Sequence, residues 1–323
     1  AEAARPYAAR VHEIAMKGDL DLGLPGRLAA LIRAERPALV HLHSRRGSDL
    51  WGGVAARRTG VPAVLSRRVD NREPRGWVAC KYRLYDRVIA ISEGIRKVLL
   101  DEGLAPAQVV CVHSAVDTQR YRPGRDELPW LRREFGLADD ELTVAMAAQF
   151  IPRKGHRTLL AALPAVLAAQ PRTRVLLFGQ GPEQDAVRQQ AQALGLAERV
   201  VFAGFRQDLA RVLPCVDVMV HPAELEGLGV ALLQAAACGL PIVAGRAGGI
   251  PEIVRPGLNG ELIEPGDAEG LARHLVALLA DPALRARYGA AGRQLVLDHF
   301  SVDAMVDGNR AVYRDAVEGR AVR

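Results

Sequence analysis

Glu224-Leu-Glu-Gly-Leu-Gly-Val-Ala-Leu-Leu-Gln234-Ala-Ala-Ala-Cys-Gly-Leu-Pro-Ile-Val-Ala244 compresses a glycine turn, an apolar helix and a buried strand into about twenty residues. Gly227 and Gly229 let backbone come close to a ligand. The apolar run from Leu228 to Cys238 predicts a helix whose unpaired N–H groups face whatever lies at its start, a position that suits a diphosphate. Gly239 and Pro241 end that helix, and Pro241–Ala244 opens a short apolar strand of the kind buried in a parallel sheet. The stretch therefore predicts an α/β protein with a ligand at the carboxyl edge of its sheet.

Working outward, apolar strands alternate with helix-length segments. The predicted strands are 38–43, 61–66, 87–92 and 109–113, then 142–147, 174–178, 199–203, 216–220 and 241–244, the pattern of parallel β-α-β units. Residues 118–140, with Pro123, Gly124 and Pro129, break the rhythm and are read as an interdomain linker. The expected domains are 1–122, 123–300 and a C-terminal helix, 301–323, that packs back across the first domain with Met305, Val312 and Val317 inward. The first domain is short for a doubly wound one and opens without a first strand or a Gly-rich turn. It is expected to have lost its first βα units at the N-terminus, with a genuinely reduced domain as the alternative.

At 323 residues and 49% apolar, the chain is large enough to bury a core in each of two domains. Its net charge is +6, and only four of its 43 basic residues are lysines (Lys17, Lys81, Lys97, Lys154). Between Ser66 and Lys97 nine basic residues face four acidic ones, a local excess that implies an anionic partner or surface. Aromatic content of 5% supplies no interleaved stacking surface for nucleic acid. The four cysteines lack C-x-x-C spacing, which predicts reduced, partly buried thiols and a cytoplasmic protein, and no apolar run reaches the ~18 residues of a membrane span. Any membrane contact would be peripheral, at the inner face.

At Glu226-Gly-Leu-Gly229 followed by Ala237-Cys-Gly-Leu-Pro241, the sequence resembles the retaining glycosyltransferases of family four (group 1), which have the GT-B fold of two Rossmann-like domains facing a cleft. Further stretches agree in order and spacing: Ile91-Ser-Glu-Gly-Ile95, His113-Ser-Ala-Val-Asp117, Tyr121-Arg-Pro123, Ile151-Pro-Arg-Lys-Gly155, Gly179-Gln-Gly-Pro182, Gly204-Phe205, Ala247-Gly-Gly-Ile-Pro-Glu252 and Gly257-Leu-Asn-Gly260. The resemblance implies a nucleotide diphosphate sugar (UDP- or GDP-linked) as donor. It also implies that Glu226 grips hydroxyls of the transferred sugar and that a second glutamate, eight positions on, grips the ribose. This chain has Gln234 there, about 12 Å along a helix. An amide still bonds a hydroxyl, without the strength of a carboxylate, so weaker donor binding is expected.

Lys154, between a strand end and a helix, is expected to meet the donor phosphates as charge builds on the leaving diphosphate. The family's arginine five residues earlier is Gln149 here, with Arg153 or Arg157 as substitutes. Gly179 and Gly181 form a turn, Phe205 and Arg206 lie where the family holds the nucleobase, and Glu224, Gly227, Leu228 and Gly229 complete the donor side. Amides of Gly248 and Gly249 are candidates for holding sugar or phosphate. On the acceptor side the family's histidine is replaced by Arg68, and Arg45, Arg67 and Arg68 with His43, Ser44 and Arg46 are expected to line the cleft. No carboxylate dyad, D-x-D metal motif or Ser-His-Asp arrangement is defensible from spacing; the resemblance instead implies metal-independent transfer with retention and no cofactor. The expected activity is metal-independent transfer of a hexose-type sugar to a bacterial envelope glycan or lipid-linked acceptor, as in lipopolysaccharide biosynthesis. The alternative, prompted by Gln149 and Gln234, is a protein of the same shape that binds nucleotide sugars with weak or no turnover.

Overall fold

The computed structural model describes residues 2–43 and 47–321. Its strands form two all-parallel sheets. The first holds β1 (Val40–Leu42), β2 (Ala63–Arg67), β3 (Arg87–Ala90) and β4 (Val109–Cys111) side by side in that order. The second holds β5 (Leu142–Ala147), β6 (Thr173–Phe178), β7 (Val200–Gly204), β8 (Val218–His221), β9 (Ile242–Gly245) and β10 (Gly260–Ile263) in the order β10-β9-β8-β5-β6-β7. The second sheet is doubly wound: the chain starts at β5, adds strands on one side, then returns to add β8 to β10 on the other. The first advances in one direction only. Nine of the ten strands coincide with apolar runs of the sequence. β10 does not, because its Gly-Glu-Leu-Ile carries a glycine and a charge and reads as part of a turn.

The chain divides into two compact units. One is built from residues up to Ile91, Arg96–Val112 and from Gly308 onward; the other is Ser92–Ile95 with His113–Asp307. The chain thus passes to the second unit at Val112/His113, ten residues before the expected boundary at 122. The stretch expected as a linker belongs to the second unit and contains a helix, Leu128–Phe135. Pro129 falls in that helix's first turn, where its missing N–H costs nothing. Within the second unit both faces of the sheet are buried: Val144, Met146, Val175, Leu177, Val218 and Val220 on one face and Ala145, Leu176 and Met219 on the other are all under 1% exposed. Asp217 at the start of β8 pins it to β5, accepting from Thr143 N at 2.8 Å and Thr143 Oγ1 at 3.0 Å.

The C-terminal helix runs Val302–Ala321, and its residues from Gly308 onward lie in the first unit. Val312 and Ala316, four residues apart and so on one face, are buried at 4% and 2%. Val317 was expected inward but is 38% exposed, because five residues of helix carry it well round from Val312. Tyr313 reaches the sheet, its hydroxyl 2.6 Å from His41 Nδ1, while His41 Nε2 meets Ser66 Oγ at 2.9 Å.

The basic segment 66–97 is partly spent inside its own unit. Lys81 is 2% exposed and its Nζ donates to Asp49 Oδ2 at 3.0 Å and Glu73 Oε1 at 2.9 Å. Arg67, 4% exposed, pairs with Glu73 Oε1 at 3.0 Å and donates to the carbonyls of Val69 and Asn71. Arg87 pairs with Asp315 at 2.5 Å. A buried charge must be matched to persist, and these matches reduce the excess left for an outside partner.

Candidate donor site in the second unit

In a doubly wound sheet, ligands gather at the carboxyl ends of the strands where the winding reverses. Here that point lies between β5 and β8, and the two loops leaving those strands carry the candidate residues. After β5 the chain makes a turn of 3₁₀-helix, Pro152–Lys154, and reaches Gly155 at φ +78°. After β8 it runs His221-Pro222-Ala223 into Glu224. The loops are pressed together: a Cβ on Gly155 would stand 1.9 Å from the Pro222 carbonyl oxygen, and Glu224 N donates to the Arg153 carbonyl at 2.9 Å. Only glycine allows both the positive φ and this approach.

That packing brings three functional side chains to one atom. Glu226 Oε2 accepts from Lys154 Nζ at 2.5 Å and lies 2.9 Å from His221 Nε2, while its Oε1 accepts from Gly227 N at 3.1 Å. Their side chains are 11%, 3% and 16% exposed for Lys154, His221 and Glu226. Burial alone would raise the Glu226 pKa, but the hydrogen bond and charge of His221 together with Lys154 outweigh it and hold the carboxyl at about 2. Glu226 is therefore ionised throughout the neutral range. Because its folded value lies below the ordinary ~4.3, the stability it contributes is present above that value and is lost as pH falls toward 2.

His221 escaped the sequence reading. Its signal was available, since it ends a buried strand at the carboxyl edge five residues before Glu226, but nothing in that spacing tells a ligand-facing histidine from a core one. Behind it His156, 3% exposed, stacks on Phe150 at 4.2 Å between ring centroids. Burial first, then the charges of His221 and Lys154, push His156 down to about 4, so it is a neutral imidazole.

Beside this cluster lies a cavity of about 290 Å³, lined by Gln149, Gly179, Gln180, Phe205, Arg206 and Ala231 among others. It joins the ends of β5, β6 and β7 to the start of the helix Val230–Ala237. Phe205 is 64% exposed at its rim. Gln234 sits three residues after Ala231 and thus on the same helix face. Other expected residues do different work. Leu228 is 1% exposed and packs in the core, because the chain turns it under the helix start. Glu224 points to solvent. Arg206 is held by Asp208 at 2.8 and 2.7 Å and by Glu134 at 2.7 Å, so its guanidinium shapes the wall with its charge already matched. Gly179 at φ +136° and Gly181 are required by the chain itself, since added Cβ atoms would stand 2.0 Å from the Ala148 carbonyl oxygen and 2.5 Å from that of Phe150.

The Gly248-Gly249 turn also braces Glu226. Gly249 N donates to the Glu226 carbonyl at 3.3 Å, and Ser92 Oγ donates to the Gly227 carbonyl at 2.7 Å. Gly248 has φ +51°, and its Cβ would stand 1.7 Å from the Glu226 carbonyl oxygen. Gly248→Ala is expected to cost about 1–3 kcal/mol from the backbone conformation alone, more with the displacement of Glu226, and to weaken donor binding; thermal denaturation and titration calorimetry check it.

On the acceptor side, Arg67 is held in the ion-pair network and borders the same small cavity as Arg68. Arg68 is exposed and lines a small cavity with His43 and Ser66, and the His43 pKa is lowered by burial and then by the Arg68 charge. Arg45, with Ser44 and Arg46, lies outside the described residues.

The fold and this site define a doubly wound α/β protein with a polar cluster at its winding reversal, and comparison with known proteins gives its family. Residues 130–295 match the family described as Glycosyl transferases group 1 and residues 3–120 match Glycosyltransferase Family 4. The chain belongs to that family. Over 196 residues it is 37% identical to a GDP-mannose-dependent α-(1-6)-phosphatidylinositol monomannoside mannosyltransferase of Mycolicibacterium smegmatis, covering 57% of this chain and 50% of that protein. Over 176 residues it is 36% identical to the lipopolysaccharide core biosynthesis glycosyltransferase LpsE of Rhizobium meliloti, covering 54% of this chain and 51% of that one. The structure of Anabaena HepE in complex with UDP superposes with a TM-score of 0.84 at 23% identity, over 97% of this chain and 87% of that one, which fixes the GT-B fold. The chain spans about half the length of the curated relatives it matches.

Proposed function

We propose that this protein transfers a hexose-type sugar, with retention, from a nucleoside diphosphate sugar to a hydroxyl of a bacterial envelope glycan or lipid-linked acceptor, a reading supported by its likeness to a lipopolysaccharide core biosynthesis glycosyltransferase. The observation that carries it is the Lys154–Glu226–His221 cluster at the winding reversal, with the cavity lined by Gln149, Gly179 and Phe205 in the same unit. In this reading the base enters the cavity between Phe205 and Gly179, and the ribose meets Gln234. The diphosphate lies toward Lys154, and Glu226 holds sugar hydroxyls. The bond from the anomeric carbon to the diphosphate oxygen breaks, and the bond to the acceptor oxygen forms on the same face. The acceptor proton passes to the departing phosphate. Protein groups orient and stabilise charge, and neither a cofactor nor a metal enters this scheme. An anionic acceptor fits the exposed arginines of the first unit, Arg68 among them. We place the reaction in the cytoplasm, at the inner face of the membrane; among the described residues no helix is long and apolar enough to cross one.

A panel of UDP- and GDP-sugars is expected to raise the melting temperature for one donor class, since a ligand of the native state stabilises by mass action. That donor then supports glycosyl transfer to envelope lipid extracts. No stabilisation by any nucleotide sugar would sink the reading. A second reading, binding with weak turnover, is favoured by Gln149 and Gln234. Turnover of the bound donor separates the two, and Gln234→Glu tests the ribose contact: a carboxylate there is expected to tighten donor binding about three- to tenfold by calorimetry, and an unchanged Kd would remove Gln234 from the ribose site.

A further inference from the structure

Glu226 Oε2 has two partners of different character. Lys154 is a cation on a flexible four-carbon stem, and the reading above assigns it to the diphosphate. His221 is the last residue of β8, 2% exposed, with a short side chain locked by the sheet. Both hold the carboxylate in the unliganded protein. In the reading proposed above, on which this inference rests, Lys154 must turn toward the phosphates as their charge grows. Its hold on Glu226 then weakens at the moment when Glu226 must stay fixed on the sugar.

We propose that His221 is the positioning residue of this site: its Nε2–H keeps the Glu226 carboxylate aimed at the donor sugar while Lys154 is released to the leaving diphosphate. The 2.9 Å contact to a carboxylate, which only accepts, puts the proton on Nε2. His221 Nδ1 is buried and has no hydrogen-bond partner among the described residues, and neither ring nitrogen of His156 has one. The imidazole thus has one polar tie, to Glu226, and is otherwise gripped by packing. Backbone reinforces the same aim, since the Glu226 carbonyl is held by Gly249 N and Glu226 Oε1 by Gly227 N. Without His221, Glu226 would have Lys154 as its one remaining side-chain partner, and the cation would be shared between sugar and phosphate.

The test uses the whole chain, with His221→Ala and the conservative His221→Gln, which keeps an N–H donor. Calorimetry compares the nucleoside diphosphate with the corresponding nucleotide sugar. For His221→Ala the nucleotide sugar is expected to bind about tenfold more weakly while the plain nucleoside diphosphate binds within twofold of wild type. kcat falls about tenfold, and His221→Gln recovers part of both losses. Equal weakening of the two ligands, or no change in either, overturns the proposal. A readout without ligand runs beside it: the pH titration of the Glu226 carboxyl carbon by NMR, assigned with Glu226→Gln. Its midpoint is expected to rise by about one unit or more in His221→Ala, and an unmoved midpoint also overturns the pairing. If wild-type protein binds no nucleotide sugar, the functional reading fails, and this titration decides the His221 contact by itself.

Discussion

Lys154→Ala is expected to lower kcat for sugar transfer by roughly 10²- to 10³-fold, with the donor KM changed only a few-fold. The ammonium meets the donor phosphates most strongly when the bond to the anomeric carbon is breaking and charge is greatest, so its removal costs the transition state more than the ground state. Glu226 keeps His221 and Gly227 N in this variant, so the site retains its shape. Lys154→Arg is expected to recover little: the space beside Glu226 receives one donor at 2.5 Å, and a planar fork needs a second acceptor alongside. Initial rates at saturating donor check this, with thermal melting as the control for folding. A loss below about threefold would remove Lys154 from the chemistry.

The sequence made most of this site legible because its chemistry lies in short loops that follow buried strands. β5 and β8 are apolar runs, and a parallel sheet puts the residues that follow them at one edge, so Lys154 and Glu226 were readable as members of one candidate donor site before any distance was known. What could not be read was how the loops press together. The Gly155–Pro222 approach decides which side chains meet, and it selects His221, a residue without a distinctive motif. Glycines carry a second constraint that the sequence did not show: Gly179, Gly181, Gly248 and Gly249 look like ligand-facing turns, and each is also required by a carbonyl or side chain of its own chain. Charge counting overstated the free excess for a related reason: Arg67 and Lys81 add to a basic tally, but the fold turns them inward against Glu73 and Asp49, residues that lie in different helices and loops.

That inward network carries the largest expected effect on stability. Lys81→Met keeps much of the side-chain volume and removes the charge between Asp49 and Glu73, whose side chains are 8% and 12% exposed. Leaving one side of a buried pair uncompensated costs about 3–5 kcal/mol, so the first unit is expected to unfold at markedly lower urea concentration. Burial by itself raises the Glu73 pKa, but Lys81 and Arg67 pull it below its ordinary value. In the wild type, that lowered pKa means a stabilising contribution present above the ordinary carboxylate range and lost as pH falls through it. In Lys81→Met the carboxyls instead take up protons more readily, so the deficit relative to wild type should be largest near pH 7 and shrink toward pH 4. Urea melts at both pH values measure this. Adding Asp49→Leu to Lys81→Met should return part of the loss, because replacing both partners removes the stranded charge. A deficit under about 1 kcal/mol at pH 7, or one that grows in acid, would mean that Asp49 and Glu73 are satisfied without the lysine, with Arg67 and the Tyr82 hydroxyl, 3.1 Å from Glu73 Oε2, holding Glu73 unaided.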